Sequence, residues 1–290
     1  ETPIITGSGG NSGGIYFYTP AAYIIIDGLE ITSATPYSMY GMGIFSHNAT
    51  HDITIRNCYI HDIKAAQAGA IHTKRQASET GGTYNWIIEN NHISNIQYVG
   101  GLETGGEHGI YLSSGTHDVI IRNNYFDGEW TGNLIQIRSA PVNYNIKIYN
   151  NIAYIVGGSH RYFSFLGDAR NVNYWNNTFY VDCSGSPAVC MFIDTCYGTN
   201  ANTYMILNNI AYMANKGSYN FYRSNKAAAY CANSGQEILN YNLYYPSKPT
   251  TSPNEDFGDF SFAADPSFEL VEAQVFMLNS DSPAINKGYN

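Results

Sequence analysis

The chain has 290 residues, of which 44% are hydrophobic and 13% are charged, and its formal net charge is −9. The charged fraction is about half of the usual ~25%, and no stretch is rich in Lys and Arg, so the composition argues against a nucleic-acid partner. No apolar stretch approaches the ~18 residues of a membrane-spanning helix, and we expect no membrane insertion. We expect a mature or excised module, with further domains possible in a longer chain.

An internal repeat runs along the chain, and each copy contains an anchor position that is Asn in seven of eight copies. The anchors, spaced 26 to 33 residues apart, are Gly28, Asn57, Asn90, Asn123, Asn150, Asn176, Asn208 and Asn240. Apolar residues two and four positions ahead of the anchor predict a short strand with one buried face. Another apolar residue, three positions after the anchor, indicates a bend there. We expect the anchor Asn side chains to be buried and to bond to one another up and down a ladder.

A second strand is predicted ahead of six of the anchors, at residues 14–18, 43–47, 70–74, 109–113, 134–138 and 162–165. Its inward residues are expected to be Ile15, Ile44, Ile71, Ile110, Ile135 and Phe163. One coil cannot bury its own apolar face, so successive coils must stack. Propeller blades are longer, at ~40–45 residues. The sequence therefore predicts an all-β, right-handed parallel β-helix of about eight coils over residues 1–250, with 251–290 as an atypical C-terminal closing segment of the same domain.

Stacked coils arrange the outward residues of the second strand in columns, with ~4.8 Å between coils. The first column is Tyr16, Phe45, His72, Tyr111, Gln136 and Ser164, and the next is Tyr18, His47, Lys74, Ser113 and Arg138. Together these two columns form what we call the strip. A sugar chain presents apolar faces and hydroxyl groups, so aromatic rings mixed with hydrogen-bonding groups suit it. We therefore predict a polysaccharide partner. The predicted substrate-binding residues are Tyr111, His108, Gln136, His47, Phe45, Tyr16, Tyr18 and Arg75.

Near the C-terminus the repeat gives way to two phrases, Asp265-Pro-Ser-Phe268 and a run from Ser282 to Gly288 that reads SPAI-x-x-G. These phrases, with the I-x-N-N and H-G-I-Y phrases of the coils, resemble secreted bacterial β-helix proteins of the pectate-lyase-like superfamily. The resemblance covers nearly the whole chain and implies an extracellular or cell-surface location. That superfamily includes polysaccharide lyases, glycoside hydrolases, phage tailspikes and non-catalytic adhesins, so these motifs indicate the fold and not the reaction.

The resemblance to lyases of this superfamily implies a specific chemistry on the strip. A base removes the proton beside a uronate carboxyl group, and a cation neutralises that carboxylate. The implied base is Lys74 and the implied neutraliser is Arg138, with His72, Tyr111 and His108 assisting. The alternative is a non-catalytic carbohydrate-binding adhesin, or a surface or assembly protein, that uses the Tyr-rich face. The aspartate set of the superfamily's hydrolases is missing, which disfavours a glycoside hydrolase.

No cofactor and no metal site are predicted, because the strip contains no carboxylates of the kind that calcium prefers. Glu103 and Glu107 are weak candidates for one calcium ion. The clustered cysteines predict the disulfides Cys183–Cys190 and Cys196–Cys231, with other pairings open and Cys58 free. Arg56, Glu89 and Arg122 fall in one outward column and predict a surface ion-pair ladder. Unpaired strand edges at the end coils are a potential site of end-to-end self-association.

Overall fold

The computed structural model describes most of the chain as strands joined by turns. The described residues are 2–7, 14–18, 20–33, 37–46, 49–73, 83–98, 108–138, 141–156, 162–167, 169–182, 190–194, 203–214, 220–224, 237–245, 260–270 and 275–288. Within these ranges no residue is helical. No helix of the described residues is therefore long and apolar enough to cross a membrane.

The described residues form twenty-seven strands, which follow one another along the chain. In the N-terminal half they are β1 Ile4–Gly7, β2 Ile15–Phe17, β3 Ala22–Asp27, β4 Glu30–Ser33, β5 Tyr37–Ser46, β6 His51–Arg56, β7 Tyr59–Thr73, β8 Tyr84–Glu89, β9 His92–Tyr98, β10 His108–Ser113, β11 His117–Arg122, β12 Tyr125–Asp127, β13 Asn133–Arg138 and β14 Asn143–Tyr149. In the C-terminal half they are β15 Ile152–Val156, β16 Tyr162–Leu166, β17 Ala169–Trp175, β18 Thr178–Asp182, β19 Cys190–Asp194, β20 Tyr204–Leu207, β21 Ile210–Met213, β22 Asn220–Ser224, β23 Glu237–Asn240, β24 Leu243–Tyr245, β25 Phe262–Ala263, β26 Phe268–Leu270 and β27 Val275–Leu278.

The strands form a parallel β-solenoid, and the predicted fold class is confirmed. Each coil contributes a strand to a first, a second and a third face in turn. The second face is an eight-stranded parallel sheet in the order β3-β6-β8-β11-β14-β17-β20-β23. The first face consists of β2, the ends of β5 and β7, β10, β13, β16, β19 and β22. The third face consists of β1, β4, the starts of β5 and β7, β9, β12, β15, β18, β21, β24 and β25. These two faces form one 17-stranded sheet, because β5 and β7 run continuously from the third face into the first.

The predicted inward positions pack in columns inside the solenoid. On the second face, one such column is Ile26, Ile55, Ile88, Ile121, Ile148, Tyr174 and Ile206, and all of its members are buried. The predicted alignment of the last coil is wrong by one residue, since Leu207 is paired with Asn240. Tyr241, with a φ of 55°, therefore takes the anchor position there. The phrase L-N-Y-N-L contains two Asn residues, and the repeat pattern alone aligns either one.

One position of the predicted outward column is also wrong. Ser164 is paired with Ile135 rather than with Gln136, and Phe165 is aligned with Gln136. Ser164 is buried, and its hydroxyl lies 2.7 Å from the phenol oxygen of Tyr174. The core of this coil contains a tyrosine hydroxyl that needs a hydrogen-bond partner, and an inward serine supplies one.

The corner between the second and third faces is built from two consecutive Asn residues in most coils. The anchors Asn57, Asn90, Asn123, Asn150 and Asn176 are exposed and adopt φ values of 52–56°. Asn tolerates this left-handed conformation better than most residues. The prediction that the anchors are the buried, stacked residues is therefore wrong by one position. The buried ladder consists of the residues that follow the left-handed position, namely Asn91, Asn124, Asn151, Asn177, Asn209 and Asn242.

Each ladder amide bonds to the coil on either side. The Oδ1 atom of Asn124 accepts hydrogen bonds from the backbone N–H and the Nδ2 of Asn91, both at 3.0 Å. The Nδ2 of Asn91 also donates to the Ile55 carbonyl at 2.9 Å. Cys58 occupies the ladder position of an earlier coil, where it is buried and free, as predicted. Burial raises the pKa of the Cys58 thiol. The other four cysteines lie outside the residues whose side chains are described, so their pairing stays a prediction.

The closing segment adds a rung to the solenoid and then folds back along its outside. Phe262 in β25 donates its N–H to the Asn242 carbonyl at 3.0 Å. The antiparallel strands β26 and β27 then lie across the third face. There Phe268 and Phe276 contact a column of stacked rings at centroid distances of 5.7–6.0 Å. The column consists of Tyr154, Tyr180, Tyr212 and Tyr245.

Candidate functional site

Four aromatic side chains from four successive coils form a continuous file on the first face. Tyr16 is paired with Phe45, Phe45 with His72, and His72 with Tyr111. The ring centroids of successive members are 5.0, 5.1 and 4.4 Å apart. These four residues, which we call the aromatic file, lie in the order expected from the sequence and are half-buried.

The rings of the aromatic file are not all parallel. Successive planes are inclined by 54° between Tyr16 and Phe45 and by 59° between Phe45 and His72, whereas His72 and Tyr111 stack at 14°. Tyr18, two residues further along the same coil, lies beside the file at 5.6 Å from Tyr16 and is 70% exposed. Tilted rings leave part of each ring face uncovered. Burial, and then the neighbouring Tyr18, raise the pKa of Tyr16, so its hydroxyl remains a hydrogen-bond donor.

The other end of the file is less accessible. His108 contacts the Tyr111 ring edge-on at 5.0 Å and is 2% exposed. Gln136, aligned with Tyr111 in the next coil, is 5% exposed and accepts a hydrogen bond from Asn133 Nδ2 at 2.7 Å. Both residues were expected to bind substrate, but they lie beneath the surface.

The cationic part of the predicted site is described only in part. Arg138 is paired with Ser113 and is half-buried, one coil beyond Tyr111. Lys74, Arg75 and His47 lie outside the described residues, as do Glu103 and Glu107. On the first face, none of the outward side chains described on β2, the ends of β5 and β7, β10 and β13 is a carboxylate, although the chain carries a net charge of −9.

The second face carries an aromatic ladder that the sequence reasoning missed. It consists of His51, Tyr84, His117 and Tyr144, with centroid distances of 4.8, 5.2 and 4.4 Å and interplanar angles of 5–6°. Both histidines hold the carboxylate of the next residue by Nδ1 at 2.7 Å. The hydrogen bond from His51 is the main reason that the pKa of Asp52 is lowered. Because each inner ring is covered on both faces by a parallel neighbour, this ladder presents mainly ring edges.

The column at the other side of the second face contains ion pairs, as the sequence indicated. Arg122 contacts Glu89 at 2.6 Å. Arg56 contacts Asp27 at 2.8 Å, in the coil before it. The predicted ladder is thus two separate pairs between adjacent coils. An exposed pair such as Arg56–Asp27 contributes little to stability.

The third face concentrates negative charge around two histidines. His92 Nε2 lies 2.8 Å from Asp127, and His61 lies between Glu30 at 3.2 Å and Asp62 at 2.8 Å. Tyr59 stacks between the two imidazole rings, at 3.9 and 4.6 Å. Burial, followed by the three carboxylates, raises the pKa of Tyr59. The contacts of His61 with Glu30 and of His92 with Asp127 join residues 31 and 35 positions apart, and no single sequence phrase contains them.

No group of three or more His, Cys, Asp or Glu residues in the described part of the chain is arranged to hold a metal ion. The fold and surface thus define a parallel β-solenoid with an aromatic file on one face. No protein-family model matches the chain. No curated protein matches it either.

Among solved structures, the chain is similar to a mutant of the tailspike protein of E. coli bacteriophage HK620 in complex with a pentasaccharide. The identity is 11% and the TM-score 0.28, over 81% of this chain and 49% of the tailspike chain. The chain therefore spans about half of the length of that tailspike.

Proposed function

We propose that this β-solenoid binds a polysaccharide along its first face, outside the cell or at a cell surface. The observation that supports the proposal most directly is the aromatic file. It runs through four coils without interruption, with neighbouring rings 4.4–5.1 Å apart. A linear file of this kind matches a linear polymer better than it matches a compact small molecule.

The composition of the file suits sugars. Sugar rings have apolar C–H faces that pack on aromatic rings, and hydroxyl groups that need donors and acceptors. Phe45 offers an apolar surface, while Tyr16 and Tyr111 add hydroxyl groups and His72 adds an imidazole. The inclination of 54–59° between the first three rings leaves ring faces partly available for such packing.

The other two faces are poorer candidates. On the second face, the parallel rings of His51, Tyr84 and His117 cover one another, which leaves edges and not faces for a ligand. On the third face, Glu30, Asp62 and Asp127 cluster around two histidines. A uronate polymer would be repelled there, because like charges oppose one another. The described outward part of the first face has no such charge.

A binding experiment with matched variants tests the proposal. The protein is incubated with a panel of soluble and insoluble glycans, including alginate, pectate, glucuronan and cellulose, and binding is measured by pull-down and titration. Phe45→Ala and Tyr111→Ala should each weaken binding by more than about 1 kcal/mol, as expected for aromatic contact residues. Tyr84→Ala, in the second-face ladder, is the matched control and should bind normally. Equal losses in all three variants would contradict a site on the first face.

A second candidate function is β-elimination of a uronate polymer. The observation that favours it is the contact between the His72 imidazole and the Tyr111 phenol at 4.4 Å, with Arg138 in the next coil. In this reaction Lys74 would accept the proton beside the carboxyl group, with His72 assisting. Arg138 would neutralise the carboxylate, and a protonated side chain such as Tyr111 would deliver a proton to the leaving oxygen.

The test is the ultraviolet absorbance of unsaturated chain ends on the same panel. Lys74→Ala and Arg138→Ala should abolish turnover without changing the thermal midpoint. Turnover that survives Lys74→Ala would make the assigned base wrong. No turnover on any polymer, together with binding, would leave carbohydrate binding as the function.

A further inference from the structure

A cavity of about 250 Å³ lies where the closing segment folds back against the asparagine corner of the solenoid. Its walls come from the corner between the second and third faces in the last three coils, and from residues 262–288. The aromatic file contributes no residue to it. We call this cavity the corner pocket.

The polar side chains that line the corner pocket are amides, the hydroxyl groups of Thr178 and Tyr241, and one ammonium group. Asn176 and Asn208 line it, both with a φ of 56°, and each side chain amide combines a donor and an acceptor. Lys287 is the one charged residue among the lining residues, and it is exposed. No lining residue is a carboxylate. This chemistry suits hydroxyl groups and one negative charge.

The remaining walls are apolar and limit the size of the ligand. They include Leu243 and Phe262 from the last rungs, with Leu278 and Ala284 from the closing segment. Pockets for drug-sized ligands usually occupy ≈300–1,000 Å³, so a cavity of about 250 Å³ suits a ligand of the size of one sugar ring. A pyranose ring combines apolar faces and hydroxyl groups in this size.

The SPAI-x-x-G phrase builds the outer wall of the pocket. The Ser282 hydroxyl donates to the Pro266 carbonyl at 2.6 Å and accepts the N–H of Ala284 at 3.2 Å, which holds the turn that presents Ala284. At the end of the phrase, a Cβ on Gly288 would lie 3.1 Å from the side chain of Asn208. Glycine therefore allows the chain to pass close to this amide and enclose the space.

We propose that the corner pocket binds a single uronic acid unit. The carboxylate pairs with Lys287, the hydroxyl groups bond to the amides of Asn176 and Asn208, and an apolar ring face rests on the Leu278 side. This site is independent of the aromatic file, and it recognises a monosaccharide or a chain terminus where the file recognises a chain.

The test uses the complete chain, with glucuronate and uncharged glucose as probes. Binding is followed by titration of backbone amide resonances, and shifts are expected at residues 208–210 and 278–288. Ala284→Leu fills the cavity and should remove binding of both probes. Lys287→Met should weaken glucuronate binding roughly two- to fivefold, the range of an exposed ion pair, and should leave glucose binding unchanged. Lys147→Met, an exposed lysine on the second face, is the control and should bind like the unmodified chain.

Three results would overturn the proposal. The first is glucuronate binding that persists in Ala284→Leu while circular dichroism shows the variant to be folded. The second is a preference for glucuronate that survives Lys287→Met. The third is a set of shifts that fall on the first face instead, which would leave carbohydrate binding by the aromatic file intact and remove only the corner pocket.

Discussion

Removal of one buried ladder amide should destabilise the solenoid far more than removal of its exposed neighbour. The Asn124 side chain makes four hydrogen bonds: two accepted from Asn91, one donated to Ile88 O at 2.9 Å and one donated to Asn151 Oδ1 at 3.0 Å. Asn124→Ala leaves the buried N–H of Asn91 without this acceptor. A buried unsatisfied group costs ≈1–3 kcal/mol, and with the other lost bonds we expect a loss of about 2–4 kcal/mol.

The assay is urea-induced unfolding followed by circular dichroism, with Asn123→Gly as the control. Asn123 precedes Asn124, is exposed and has a φ of 54°, a conformation that glycine adopts freely. Its replacement should change the free energy of unfolding by less than about 0.5 kcal/mol. Similar losses in both variants would refute the assignment of the buried ladder to the second Asn of each pair.

Three further predictions concern other parts of the fold. The pKa values of Asp52 and Asp118 are lowered in the folded state. Their stabilising contribution is therefore present above the unfolded pKa of ~3.9 and is lost as the pH falls through the folded values. Asp52→Asn should make the free energy of unfolding depend less steeply on pH between about 2 and 6. Tyr174→Phe removes a partner of the buried Ser164 hydroxyl and should lower the free energy of unfolding by ≈1–3 kcal/mol, measured by chemical denaturation. The double variant with Ser164→Ala should recover part of this loss. Losses that simply add would contradict the contact. Gly109→Ala should destabilise the fold by roughly 1–3 kcal/mol and so lower the thermal midpoint, because the added Cβ would lie 2.5 Å from Leu134 O and 3.0 Å from the Trp130 ring. An unchanged midpoint would show that the structure around Gly109 relaxes to make room.

The fold could be predicted because the alternation of apolar residues ahead of each anchor fixes which side chains face inward. The same alternation, in the strand before each anchor strand, places Tyr16, Phe45, His72 and Tyr111 in one outward column. The pattern could not decide between the two Asn residues of a pair such as Asn123 and Asn124. That choice depends on which residue adopts the left-handed conformation, and only the backbone geometry reveals it.

The charged cluster of the third face could not be predicted by the same reasoning. His92 meets Asp127 across 35 residues, and His61 meets Glu30 across 31. Such contacts depend on lateral register between coils whose connecting loops differ in length. The burial of His108 could not be predicted either, because the alternation of residues along a strand does not show how the chain covers the end of the aromatic file. The corner pocket likewise depends on where the closing segment folds back.

The position of a bound oligosaccharide tests the central claim most directly. A crystal structure of the chain with an oligosaccharide from the polymer that it binds best should show sugar rings packed on Tyr16, Phe45 and Tyr111, in a line parallel to the axis of the solenoid. Sugar bound along the second or third face, with the aromatic file left bare, would contradict the assignment of the first face as the polysaccharide-binding surface.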